Sequence, residues 1–256
     1  MQRSSRVDYD AIAELYDSTP HREKSPDPEL AAVLAGRSPG ARLTLLDIAC
    51  GTGNQQIANR AIAPGARLVG LDGSLGMLRQ ARRKMPDIAW VHGDIAALPF
   101  ASAGFDFVSC QYAFHHFRDK AGMLREAFRV LRPGGRFVLF NMSPQDAEDW
   151  LYYAYFPETK TRDFADFWPP DAIAAAMAAA GFAGIAIERR HLHGERDLAE
   201  LLAAVRWRER NSQLLSLSDA AYKAGLRRIE RDLADPQGPK VRADHMCFVT
   251  LRGDKG

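Results

Sequence analysis

Cysteine is scarce in this chain: three in 256 residues, at positions 50, 110 and 247. So few scattered thiols cannot build a disulfide framework, and they point to a reducing, cytoplasmic setting. Long apolar runs are lacking too; none approaches the roughly 20 residues of a transmembrane helix. Met1-Gln2-Arg3-Ser4-Ser5-Arg6 has no apolar stretch behind it, so no secretory signal is expected. An excess of one charge is also missing. The formal net charge is +2, far from the strongly basic footprint of a dedicated nucleic-acid binder. There is no internal repeat and no low-complexity linker. What is there, 46% hydrophobic and 26% charged residues, is the composition of an ordinary globular protein. The length suits one α/β domain with additions and a sizeable core.

The chain is organised around Leu45-Leu46-Asp47-Ile48-Ala49-Cys50-Gly51-Thr52-Gly53-Asn54-Gln55-Gln56. A buried strand over 43–48 runs into a tight loop, and a helix starts near Asn54. Gly51 and Gly53 allow the sharp turn and leave no side chain between backbone and ligand. The new helix turns free N–H groups and a positive dipole end toward that gap. Such a strand–loop–helix is a nucleotide-type cradle. A pyrophosphate-binding fingerprint needs a third glycine, in the spacing G-x-G-x-x-G. Gln56 stands there instead, which argues against a NAD-type oxidoreductase. Taken alone, Gly51-x-Gly53 is equally compatible with plain turn geometry.

Further apolar runs at 67–72, 88–92, 105–110, 136–140, 184–188 and 244–251 read as strands, with helical spacing between them. This alternation predicts a doubly wound, mostly parallel α/β sheet. Asp72 closes the second strand about 20 residues past the glycine loop, where a carboxylate can accept from both ribose hydroxyls. The competing reading is a turn-forming aspartate before Gly73. Helix 74–84 turns Leu75, Leu78 and Ala81 inward; Met77 is read either against a bound ligand or in the core. At the N-terminus, Tyr9, Ile12, Ala13 and Tyr16 share one helical face, which suits a packing helix or a lid. Trp150, Tyr152, Tyr153, Tyr155, Phe156, Phe164, Phe167 and Trp168 crowd into 141–170. They suggest an acceptor cap or simple packing.

Several of these stretches together resemble the class I S-adenosylmethionine-dependent methyltransferases. They are Asp47-Ile48-Ala49-Cys50-Gly51-Thr52-Gly53, Asp72 at its strand end, the turn Gly93-Asp94-Ile95, and Leu131-Arg132-Pro133-Gly134-Gly135 before a strand. The resemblance covers roughly 41–190 plus the last strand. It is closest to the branch with ubiquinone- and menaquinone-pathway carbon methyltransferases. It implies S-adenosyl-L-methionine as methyl donor and S-adenosyl-L-homocysteine as product. The donor's methionine end would occupy the turn of Asp47, Ala49, Gly51 and Gly53. Asp72 and Gly73 would take the ribose, Asp94 and Ile95 the adenine, and Gln111 would face the same site. The implied layout is an N-terminal helical lid (1–40), a seven-stranded Rossmann-like core (41–190), a helical insert (191–240) and the last strand (241–256). The insert departs from the family pattern and leaves the acceptor open.

Methyl transfer is an in-line displacement with a good leaving group, so alignment is the main task. A base is needed only if the acceptor must lose a proton. A similarity to phosphoethanolamine-type methyltransferases implies His115, paired with Tyr16, in that role; the competing reading makes both histidines of His115-His116 packing residues. No Asp/Asn-Pro-Pro-Tyr/Phe follows the fourth strand, no Pro-Cys pair occurs, and no carboxylate cluster for magnesium is evident, so no metal is expected. The expected partner is a small-molecule acceptor, aromatic or anionic, and not a nucleic acid. The oligomeric state is not legible. Two rival functions are a NAD-type oxidoreductase, separable by nicotinamide absorbance, and a noncatalytic S-adenosylmethionine-binding scaffold, separable by an acceptor panel.

Overall fold

Strands and helices alternate much as their apolar periods require. In the computed structural model, which describes residues 7–18, 22–38 and 40–256, α1 (Tyr9–Ile12) and α2 (Pro28–Ala35) precede the sheet. There follow β1 (Thr44–Ile48), α3 (Asn54–Arg60), β2 (Arg67–Asp72), α4 (Leu75–Lys84), β3 (Ala89–His92) and β4 (Phe105–Gln111). Then come α5 (Lys120–Val130), β5 (Leu131–Met142), α6 (Leu151–Tyr155), α7 (Pro157–Asp166), α8 (Pro170–Ala180) and β6 (Ala183–Asp197). The chain closes with α9 (Leu198–Val205), α10 (Ser212–Leu215), α11 (Asp219–Ala234) and β7 (Val241–Asp254). The first six residues, which carry the expectation about a secretory signal, lie outside the described residues. No described helix is long and apolar enough to cross a membrane.

The described strands form one seven-stranded sheet in the order β3-β2-β1-β4-β5-β7-β6. The pairings β1–β2, β1–β4, β2–β3 and β4–β5 are parallel. β7 runs antiparallel to β5: Gly134 N–H donates to the Lys255 carbonyl at one end, Ser143 N–H to the Cys247 carbonyl at the other. Strand order reverses between β1 and β4, which is where open α/β sheets place ligands. β5 starts earlier than expected, at Leu131. Its register against β4 jumps from Leu131 to Arg136, so Arg132-Pro133-Gly134-Gly135 is accommodated as a bulge. β6 also runs longer, to Asp197, so residues 191–197 are strand and not the start of the helical segment.

The chain divides into two compact units. The first comprises 1–141, 170–188 and 250–256. Leu45, Leu46, Ile48, Leu71, Val108 and Leu139 are wholly buried there. Glu29 fastens α2 to the sheet, accepting from Arg136 Nη1 (3.0 Å) and Arg252 Nη1 (2.6 Å). The second comprises 142–169 and 189–249. Its core joins Leu151, Tyr155 and Phe156 to Leu198, Leu201, Val205, Leu214 and Ile229. Most of the aromatic density read from the sequence packs inside this unit: Trp150, Tyr153, Tyr155, Phe156 and Phe167 are buried.

The two loop glycines do different work. Both have left-handed φ, +55° at Gly51 and +81° at Gly53. A Cβ on Gly51 would meet nothing within 4 Å, whereas one on Gly53 would lie 2.3 Å from the Trp90 ring. Gly53→Ala should therefore cost about 2–4 kcal/mol in urea unfolding, from backbone strain plus overpacking. Gly51→Ala should cost only the strain, about 1–2 kcal/mol. Equal losses would show that Trp90 does not set the difference.

Candidate functional site

The carboxyl ends of β1, β2 and β4 open into a cavity of about 280 Å³. Ala49 and Tyr112, the residues just past β1 and β4, both carry positive φ (56° and 54°) and both line it. Non-glycine residues held this way cost of order 1–3 kcal/mol each and gather at functional sites. Of the expected donor-site residues, Ala49, Gly51, Asp72, Gly73, Met77, Asp94, Ile95 and Gln111 line the cavity.

Asp72 is the hub of this wall. Its Oδ2 accepts from Gly51 N–H and its Oδ1 from Ser74 N–H, both at 2.8 Å. One carboxylate thus ties the loop after β1 to the turn after β2. Burial pushes its pKa up, against the pull of those backbone N–H donors.

Two expected residues stand behind the wall. Gly53 gives its space to Trp90. Asp47 is 3% exposed and accepts from Ser109 Oγ at 2.8 Å, so it pins β1 to β4 beneath the loop. Burial raises its pKa to about 7, with Ser109 pulling the other way. Gln56, where a dinucleotide fold needs glycine, is buried and donates its Nε2–H to the Val69 carbonyl (2.8 Å).

The N-terminal segment closes the cavity through carboxylates that the sequence did not single out. Asp10 Oδ1 accepts from Ser74 Oγ (2.9 Å) and Gly76 N–H (2.6 Å), at the start of α4. Asp17 accepts from Thr52 Oγ1 (2.7 Å), Asn54 Nδ2 (2.8 Å) and Lys84 Nζ (2.6 Å). Val7, Asp8, Tyr9, Asp10 and Tyr16 line the cavity from this side.

The histidine and tyrosine that meet are not the expected pair. Tyr9 Oη and His116 Nε2 lie 2.7 Å apart, and both residues line the cavity. Tyr16 also lines it, but its hydroxyl accepts from Arg22 Nη1 (2.8 Å). His115 is not among the lining residues; its Nδ1 faces Asn141 Nδ2 at 3.3 Å. A short 3₁₀ turn over Phe114–His116 presents the second ring, not the first, to the cavity. Burial lowers the His116 pKa to about 4, helped by Lys120, and raises that of Tyr9. The tyrosine is therefore the donor and a neutral imidazole the acceptor.

Fold and cavity together define a Rossmann-like α/β core with a ligand-sized cavity where its strand order reverses. The Methyltransferase domain family model matches residues 46–139. A demethylmenaquinone methyltransferase of Thermus thermophilus is 35% identical over 165 residues, covering 54% of this chain and 73% of that protein. Against other curated relatives the match spans between 42% and 66% of their length, for example 44%, 50% and 66%. Among solved structures, a methyltransferase of an antibiotic biosynthesis pathway from Anabaena variabilis superposes with a TM-score of 0.67 at 20% identity, over 88% of this chain and 97% of that one. Phosphoethanolamine N-methyltransferase 2 of Haemonchus contortus, solved with S-adenosyl-L-methionine, gives 0.59 at 19%, over 96% and 57%. The chain belongs to the class I S-adenosylmethionine-dependent methyltransferases of the menaquinone and ubiquinone type. It is an S-adenosylmethionine-dependent methyltransferase, and neither rival function finds support. The lining fits the methyl donor: carboxylates for hydroxyls, amines and a cationic sulfur, with Met77 and Ile95 as apolar walls.

Asp47 supplies a test of the wall by pH. Its folded-state pKa lies above the unfolded value of 3.8. Its favourable contribution is thus complete below pH 3.8 and is lost as pH rises toward 7. Asp47→Asn should raise the melting temperature more at pH 8 than at pH 4. An equal shift at both would place the Asp47 proton elsewhere.

Proposed function

We propose that the enzyme methylates a small aromatic acceptor carrying an ionisable hydroxyl, such as a reduced quinone ring, with Tyr9 and His116 handling its proton. The observation that carries this reading is the 2.7 Å Tyr9–His116 contact inside the same cavity as Asp72 and Asp94. In this proposal the Asp72 carboxylate takes the ribose hydroxyls, Asp94 and Ile95 take the adenine, and Ala49 and Gly51 border the methionine end. When bound, S-adenosylmethionine supplies a methyl group on a cationic sulfur.

The chain's residues favour an aromatic over an anionic acceptor. Among the residues lining the cavity there are four aspartates and neither lysine nor arginine. Arg22 and Lys24 sit on the rings of Tyr16 and Tyr112, each 4.0 Å from the centroid. A negative field of this kind suits a cationic donor and opposes a phosphate. The relatives named as demethylmenaquinone methyltransferases support a quinol-type ring. Taking the hydroxyl proton makes such a ring a stronger nucleophile at oxygen and carbon alike. Neutral His116 accepts that proton, directly or through Tyr9. The positive charge it gains replaces the one lost at sulfur, so the buried site keeps its net charge. Three buried free cysteines support the cytoplasmic setting that belongs to this reading.

The test uses a reduced naphthoquinone and phosphoethanolamine as paired acceptors. Methyl transfer should be seen with the quinol. Tyr9→Phe and His116→Gln should each lower kcat by about 10²-fold or more, with S-adenosylhomocysteine affinity nearly unchanged. Asp72→Ala should abolish that affinity instead. The acid limb of kcat/KM should fall well below pH 6.5, as burial of His116 requires. Transfer to phosphoethanolamine alone, or full kcat in both Tyr9 and His116 variants, would overturn the proposal.

A further inference from the structure

The second unit carries a histidine cluster that methyl transfer does not use. His191 and His193 are two apart on β6, so their side chains project from the same face of the strand. His245 stands on neighbouring β7. The three rings stack, with His193 and His245 centroids 4.1 Å apart and His191 and His245 5.3 Å apart. One nitrogen from each imidazole lies within 4.8 Å of the other two.

The hydrogen bonds fix where the lone pairs point. Asp149 Oδ1 lies 2.7 Å from His245 Nδ1 and accepts its proton. The neutral ring then presents an unprotonated Nε2, which faces His191 Nδ1 at 3.0 Å. One proton on that pair of nitrogens satisfies the contact. His191 Nε2 lies 3.9 Å from the Cys247 sulfur, so the imidazole proton has an acceptor there when Nδ1 is given up. A carboxylate on the far nitrogen of a histidine is the arrangement that orients metal-binding imidazoles and raises their basicity.

We propose that His191 Nδ1, His245 Nε2 and a nitrogen of His193 bind a divalent first-row transition ion of the zinc class, with Asp149 orienting His245. Imidazole donors select Zn²⁺, Cu²⁺ and Ni²⁺ over magnesium or calcium. A tetrahedral zinc site sets donor nitrogens about 3.3 Å apart, given Zn–N bonds near 2.0–2.1 Å. Small side-chain rotations close the present spread to that value. His191 and His193 are exposed, so the ion has a path in, and the fourth position stays open to water. The ion takes the place of the proton between His191 and His245 and staples β6 to β7 within this unit.

The test is equilibrium dialysis of the untagged full chain against micromolar Zn²⁺, followed by elemental analysis. Wild type should retain one zinc per chain, and its melting temperature should rise with zinc. Replacing zinc by Co²⁺ should give the intense visible absorption of a four-coordinate ion. His193→Ala and His245→Ala should lose the bound ion. Asp149→Asn, which keeps all three ligands, should weaken affinity about 10–100-fold. S-adenosylhomocysteine affinity should be unchanged in every variant, which separates this site from the catalytic one and reports folding. Zinc retained equally by wild type and the His193→Ala/His245→Ala double variant would overturn the proposal, as would no zinc on wild type. Should the double variant fail to fold, unchanged zinc affinity in Asp149→Asn overturns it.

Discussion

One carboxylate fixes the geometry on which the rest of the methyltransferase site depends. Asp72 receives Gly51 N–H with one oxygen and Ser74 N–H with the other, so two successive strand-end turns cannot move independently. Asp72 is half-buried, and these hydrogen bonds compensate the water it has lost. The turns it binds are those that border the cavity. The same side chain remains on the cavity wall, so it both builds the site and faces what enters it.

The N-terminal segment repeats this logic. Asp10 binds the start of α4, next to Ser74, and Asp17 binds the glycine loop through Thr52 and Asn54. The N-terminal segment therefore shares anchoring groups with the Asp72 hub. The same segment sets Tyr9 against His116. Desolvation disfavours the charged form of both rings, lowering the imidazole pKa and raising that of the phenol.

Much of the first unit was legible because its signals are local. A β-run ending in Asp-x-Ala-Cys-Gly-Thr-Gly, an aspartate 21 positions past Gly51 and a Gly-Asp-Ile turn each place a residue relative to a strand end, and strand ends converge in a parallel sheet. Gln56 stands where a dinucleotide fingerprint needs glycine, and its amide donates to the Val69 carbonyl. Other features depend on rotation about a single turn. Alternation says that His115 and His116 diverge, but not which one faces in; the 3₁₀ turn decides for His116. Tyr9 and Tyr16 share a helical face, and Arg22 takes the second. Gly51 and Gly53 look equivalent on paper, yet only a distant Trp90 separates their roles. The polar run Glu188-Arg189-Arg190-His191 disguised the length of β6, and with it the pairing that sets His191 and His193 beside His245.

The central claim is that the strand-end residues of one cavity hold an adenosyl group whose sulfur faces the Tyr9–His116 pair. A crystal structure of the chain with S-adenosylhomocysteine tests it most directly. The account predicts ribose hydroxyls on Asp72, adenine between Asp94 and Ile95, and the sulfur facing Tyr9 and His116. An adenosyl group bound elsewhere, or one whose sulfur points away from that pair, would contradict it.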